Sequence, residues 1–63
     1  MIKVTRLRGH EADLVINAEM IETVEATPDT VITLTTGHKI IVQESVDAVI
    51  AAVVAYKRSI HQP

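Results

Sequence analysis

The sequence predicts an α+β fold: a five-stranded antiparallel meander or small partial barrel, followed by one C-terminal helix. Three observations carry this reading. Five short runs rich in β-branched residues (MIKVTRL, DLVI, MIETVEA, VITLT and KIIV) are separated by turn-forming residues. The connections between them are short, which suits antiparallel neighbours. After KIIV the apolar period changes from about 2 to about 3.6 residues and stays there nearly to the end of the chain.

Each element has a local reason. MIKVTRL reads as a strand, with Arg6 breaking strict alternation, and Gly9 turns the chain after it because glycine takes positive φ without a steric cost. DLVI is the second strand. Asn17 then stands before Ala18, Glu19 and Met20 as a good N-cap, so a single helical turn is expected there. MIETVEA is the third strand, and Pro28 in TPDT suits a type I turn. In VITLT, Ile32 and Leu34 face one way and Val31, Thr33 and Thr35 the other. Gly37 closes the next hairpin and KIIV follows. Ser45 is a favourable N-cap, and Glu44 and Asp47 suit the positive end of a helix dipole. The helix is expected over about residues 45–59, with Lys57 and Arg58 at the end that favours cations. The strands occupy about residues 1–43, and the whole chain, 1–63, reads as one domain. VTRLRGH and ITLTTGH echo each other as two similar hairpins.

Composition narrows the functional classes. A chain of 63 residues buries only roughly 60% of its unfolded surface, and domains of this size usually need a disulfide, a metal or a partner. With no cysteine, disulfides and thiolate metal sites are excluded. The chain is 48% apolar, yet Tyr56 is its one aromatic residue, so the core is aliphatic and oligomerisation is the remaining staple. Six of the eight acids (Glu11, Asp13, Glu19, Glu22, Glu25 and Asp29) fall between residues 11 and 29, and the formal net charge is −2. That balance argues against a nucleic-acid partner, which asks for a basic face. No signal-peptide pattern is visible and no apolar run spans a bilayer, so the expected compartment is the cytoplasm.

Candidate chemistry is sparse. His10 and His38 each follow a turn glycine, and His61 lies in the tail. Two hairpin-tip histidines could bind a metal only if the tips met and Glu11 or Asp13 supplied a third ligand; solvated turn residues are the better reading. Ser45 caps a helix, Ser59 lies near its end, and neither sits in a nucleophile elbow. Gly9 and Gly37 alone cannot build a phosphate-cradling loop. The carboxylate pairs Glu22/Glu25 and Glu11/Asp13 have little material around them to form a cleft that would raise a pKa. The reading is of a protein that is not an enzyme and takes no cofactor or metal.

The helix is the most informative element. Val46, Val49, Ile50, Val53, Tyr56 and Ile60 form one stripe that should cover the sheet. Ala48, Ala51, Ala52 and Ala55 form an opposite stripe, and no charge lies between Asp47 and Lys57. Alanine favours helix formation in any setting, but a helix apolar all round is ordinarily buried all round. The alanine stripe is therefore expected to be a homo-oligomer interface. LVI and IIV, apolar on both faces, add surface that needs a cover.

Read together, MIKVTRL, MIETVEATPDTVITLTTGHKIIV and ESVDAVIAAVVAYKRSI resemble the FlbD/SwrD family of small flagellar-operon proteins. The residues that carry the resemblance are Val4 to Leu7, Asn17, Ile21, Glu22, Glu25, the Pro28-Asp29-Thr30 turn, Gly37 and the Glu44-Ser45 pair. Arg8 and His38 depart from it, standing where the family more often has Asn and Lys, and the segment from Gly9 to Asn17 is longer. The resemblance implies a non-enzymatic motility factor that raises flagellar motor power. Its implied partner is a motor or stator protein, met at the cytoplasmic face of the membrane or at the flagellar basal body. Glu22, Glu25, Asp29 and Thr30 are the expected partner surface. A small RNA-binding regulator of the carbon-storage type is the alternative, resting on Lys3, Arg6, Arg8 and Lys39.

Overall fold

In the computed structural model, which describes residues 1–8 and 13–61, the strands pair as two antiparallel sheets. β1 (Ile2–Thr5) pairs with β2 (Asp13–Ile16). β3 (Ile21–Ala26), β4 (Thr30–Leu34) and β5 (Lys39–Val42) form the second sheet in that order. A 3-10 turn (Ala18–Met20) separates β2 from β3, and α1 (Val46–His61) ends the chain. The α+β class and the single C-terminal helix are as expected, while the single five-stranded meander is replaced by sheets of two and three strands.

The break has a local cause. Asn17 Oδ1 accepts from the Glu19 N–H at 3.0 Å, and the Met20 N–H donates to the Asn17 carbonyl at 2.9 Å. This capped turn redirects the backbone between β2 and β3, so these sequence neighbours do not pair. The sheets are instead joined through β1. Arg6 bridges Val42, the Leu7 N–H donates to Ile41 O at 3.0 Å, and the Gln43 N–H donates to Thr5 O at 2.8 Å. Where Arg6 breaks the alternation of the first strand, the chain leaves β2 and runs along β5.

The hairpins follow their turn residues. Between β4 and β5, the Leu34 N–H donates to His38 O at 2.8 Å and the Gly37 N–H donates to Leu34 O at 2.9 Å, closing the loop of Thr35, Thr36 and Gly37. Gly37 has φ +93°, the left-handed position of a three-residue hairpin loop, which glycine adopts without strain. Between β3 and β4 the Thr27–Pro28 bond is cis, in place of the trans bond of the expected type I turn. The expected turn at Gly9, with His10 and Glu11, lies outside the described residues.

One aliphatic core fills the space between the sheets and the helix: Ile2, Val4, Ile16, Ala18, Ile32, Val42 and Val49, with Ile32 completely buried. Registered rows explain the selection. Ile2 faces Ile16 and Val4 faces Leu14, while Val24, Ile32 and Ile40 align across the larger sheet. α1 packs on β1 and β3. Ser45 caps it, its Oγ accepting from the Ala48 N–H at 3.1 Å.

The phase of the helix differs from the expected wheel. Val46, Val49, Ala52, Val53 and Tyr56 are the residues turned inward. Ala52 is thus half-buried against the core, not on the outer stripe. Ile50 and Ile60, assigned to the inner stripe, are each 51% exposed. Ile50 sits on the flank of the buried arc. Ile60 sits on a 16-residue helix about 24 Å long, which outruns strands of roughly 13–20 Å.

Candidate functional site

The face of the larger sheet that points away from the core is built by register. Glu25, Val31 and Ile41 form one cross-strand row, and Thr23, Thr33 and Lys39 form the next. A shallow depression lies over these rows, lined by Glu25, Thr27, Val31, Thr33, Lys39 and Ile41. Ile41, on the outer strand β5, is 48% exposed. Glu25 and Lys39 stand on the two outer strands, so the face carries one charge of each sign at its margins, with Ile41 beside Lys39 on β5.

The expected acidic surface is only partly gathered here. Glu22 sits at the irregularity in β3, where Ile21 faces Leu34 and Thr23 faces Thr33, leaving Glu22 without an opposite residue. A bulge with charges on an outer strand also protects a sheet edge from unwanted pairing. Asp29 is exposed in the β3–β4 turn. Thr30 is buried, facing inward in register with Ala26 and Val42, and so drops out of the surface. The signal was available in the sequence, because Thr30 shares the parity of Ile32 and Leu34.

A second groove, about 480 Å³ in volume, adjoins this face and shares Lys39 and Ile41 with it. Its walls are Arg6, Leu7, Arg8, Asp29, Lys39, Ile40 and Ile41. The pairing of Arg6 with Val42 and of Leu7 with Ile41 is what brings Arg8 toward the start of β5. Three of the four basic residues considered for RNA therefore share one groove. The fourth, Lys3, lies opposite Val15 on the smaller sheet and is not part of that wall.

The helix presents a further apolar face. Ala48, Ala51 and Ala55 are exposed as expected, and Ile50 and Val54 join them at 51% and 41% exposure. Val15, 54% exposed, is the uncovered apolar residue of β2.

His38 has a structural occupation. Its Nδ1 lies 2.8 Å from Thr36 Oγ1, a contact within the hairpin loop. Asp13 is exposed at the start of β2. Among the described residues, no three His, Asp or Glu side chains are grouped as metal ligands. The other histidine and carboxylate considered, His10 and Glu11, lie outside the described residues, and the His61 side chain is not described.

Glu44 ties the start of the helix to the first strand. Its Oε1 accepts from the Thr5 N–H at 2.9 Å across 39 residues of sequence. Burial alone would raise its carboxyl pKa, but hydrogen bonds from Thr5 and from its own N–H outweigh burial and hold it below the ordinary 4.5. A depressed carboxyl stabilises the fold above the unfolded-state value and loses that contribution as pH falls through the folded value. Glu44→Gln is therefore expected to cost about 1 kcal/mol at neutral pH. The gap from the unsubstituted protein should close as pH drops below 4.5. Urea titrations at neutral and acidic pH check both points; a gap independent of pH would show that the carboxylate charge is irrelevant.

Asn17, Gly37, Glu44 and Ser45 are explained by caps, a left-handed turn and a strand clamp. Arg6 and Asp29 instead line the basic groove, and Glu25 lines the adjoining depression. The family model for FlbD, described as flagellar and swarming motility proteins, matches residues 1–61. The chain belongs to the FlbD family. No curated protein and no solved structure matches it. For this FlbD-family chain a role connected with flagella or swarming follows from membership. No helix of the described residues is long and apolar enough to cross a membrane.

Proposed function

We propose that this FlbD-family protein is a non-enzymatic motility factor that raises flagellar motor power through direct contact with the motor stator. It would act at the cytoplasmic face of the membrane, in association with the flagellar basal body. The observation that carries the reading is the family match over nearly the whole chain. The structure supports contact as the mode of action, because a sheet face with Ile41 and a helix face with Ile50 and Val54 are uncovered. Glu22, Glu25 and Asp29 form the acidic side of the partner surface. The helix face, Ala48, Ala51 and Ala55 with Ile50 and Val54, joins copies of the chain into a homo-oligomer.

The test is affinity capture from motile cells, read for stator subunits. The tagged protein is expected to enrich them over a tag-only control. Glu25→Lys with Asp29→Lys, both exposed positions, should reduce capture while leaving the circular dichroism spectrum unchanged. Stator subunits at control level with the unsubstituted protein would contradict the proposal.

A second reading, an RNA-binding regulator of the carbon-storage type, draws on the grouping of Arg6, Arg8 and Lys39 in one groove. It requires RNA to bind there with the steep salt dependence of phosphate contacts.

A further inference from the structure

Of the six lysine and arginine residues in a chain of net charge −2, Arg6, Arg8 and Lys39 line the same groove. Its apolar wall is Leu7, Ile40 and Ile41, and its volume of about 480 Å³ suits a few side chains of a ligand. We infer that this groove binds an acidic linear segment of a protein partner: an apolar residue laid on Leu7, Ile40 and Ile41, flanked by Asp or Glu paired with Arg6, Arg8 and Lys39. The inference deepens the contact reading above and rests on it for the identity of the partner, not for the chemistry of the groove.

The chemistry selects the class of ligand. Arginine presents a planar fork of donors that matches a carboxylate in two parallel hydrogen bonds, so two arginines and a lysine fit a short run of acids. The apolar wall rewards a ligand that carries an aliphatic side chain between its charges. Single-stranded RNA is bound largely by stacking bases on aromatic rings. The one Phe, Tyr or Trp ring of this chain, Tyr56, is on α1 and packs against the core. Asp29 shares the groove with the cations and would repel phosphate. In a peptide complex the same carboxylate can accept from a backbone N–H of the segment. A flat anionic bilayer would meet the rim of a concave site and not its apolar wall.

The experiment uses the full chain and a fluorescein-labelled peptide, Ser-Asp-Leu-Asp-Glu-Ile-Asp-Ser, followed by fluorescence anisotropy. A matched peptide with Asn and Gln in place of the acids is the neutral probe. The acidic peptide should bind, weaken as sodium chloride is raised, and lose about tenfold in affinity, about 1.4 kcal/mol, with Arg8→Gln and Lys39→Gln together. Lys57→Gln with Arg58→Gln on the helix should leave binding unchanged. Thermal melts confirm that each variant is folded; both groove positions are exposed. Equal affinity for the neutral peptide would overturn the inference. So would equal loss from the helix pair, or tighter binding of a labelled oligouridine or of phosphatidylglycerol vesicles. Stator capture that survives Arg8→Gln with Lys39→Gln would remove the groove from the motor contact and leave that contact standing. Peptide binding without stator capture by the unsubstituted protein would do the reverse.

Discussion

Ile32→Ala is expected to remove a large share of the protein's folding stability at 25 °C. Ile32 is the one core side chain with no exposed surface, at the centre of the middle strand of the larger sheet. Val24 and Ile40 flank it in register, and it belongs to the same cluster as Val4, Val42 and Val49 from β1, β5 and α1. Truncating a buried isoleucine to alanine costs about 2–5 kcal/mol, because the transfer energy of the lost groups and the cavity left behind both count. A domain of 63 residues has about 3–9 kcal/mol in all. The change therefore removes a large share of the stability, or all of it. Ile41→Ala is the internal control: the Ile41 side chain is 48% exposed and its removal should cost well under half as much. Urea titration followed by far-ultraviolet circular dichroism separates the two. Similar midpoints for both variants would mean that the core does not run through Ile32.

The second large effect concerns mass. Ile50→Glu with Val54→Glu is expected to convert a homo-oligomer into a folded monomer of 6.9 kDa. These side chains are 51% and 41% exposed, on the face of α1 that also carries exposed Ala48, Ala51 and Ala55. In the proposed seam the alanines would let a second helix approach closely, and Ile50 and Val54 would supply the apolar area. At about 25 cal/mol per Å², a few hundred Å² per subunit contributes several kcal/mol. A pair of buried glutamates would cost more than that contact supplies. Ala52 is left unsubstituted, because it packs against the protein's own core and a charge there would harm the monomer itself. Sedimentation equilibrium on the unsubstituted protein and the double variant gives the answer. A monomeric unsubstituted protein at micromolar concentration would contradict the helix seam.

What was legible in the sequence was local. The strand runs, the Asn17 and Ser45 caps and the Gly37 turn are each decided within a few residues, and each is found where its residue chemistry puts it. The two-sheet arrangement is not local. It depends on whether β1 continues along β2 or crosses to β5, and the Arg6–Val42 bridge joins positions 36 residues apart. The helix wheel located an inward face but not its centre, because Ile50 and Ala52 lie on opposite flanks of the same arc. Size and apolarity favoured Ile50, whereas the position of β1 and β3 turned Ala52 inward. Of the residues expected at a partner surface, Glu22, Glu25 and Asp29 are exposed, while alternation with Ile32 already carried the inward direction of Thr30. The basic groove needed the fold, since Lys39 reaches Arg6 and Arg8 only through pairing between the end of the first strand and the fifth.

The central claim, that this FlbD-family protein adds to motor power by contact and without chemistry of its own, is tested most directly by the torque of single flagellar motors. Torque is measured from bead rotation in cells lacking the protein, in cells with it restored, and in cells carrying Glu25→Lys with Asp29→Lys. The account predicts that torque falls without the protein and returns when it is restored. It should stay low with the folded charge-reversed variant at equal cellular abundance. Torque unchanged by loss of the protein would contradict the account.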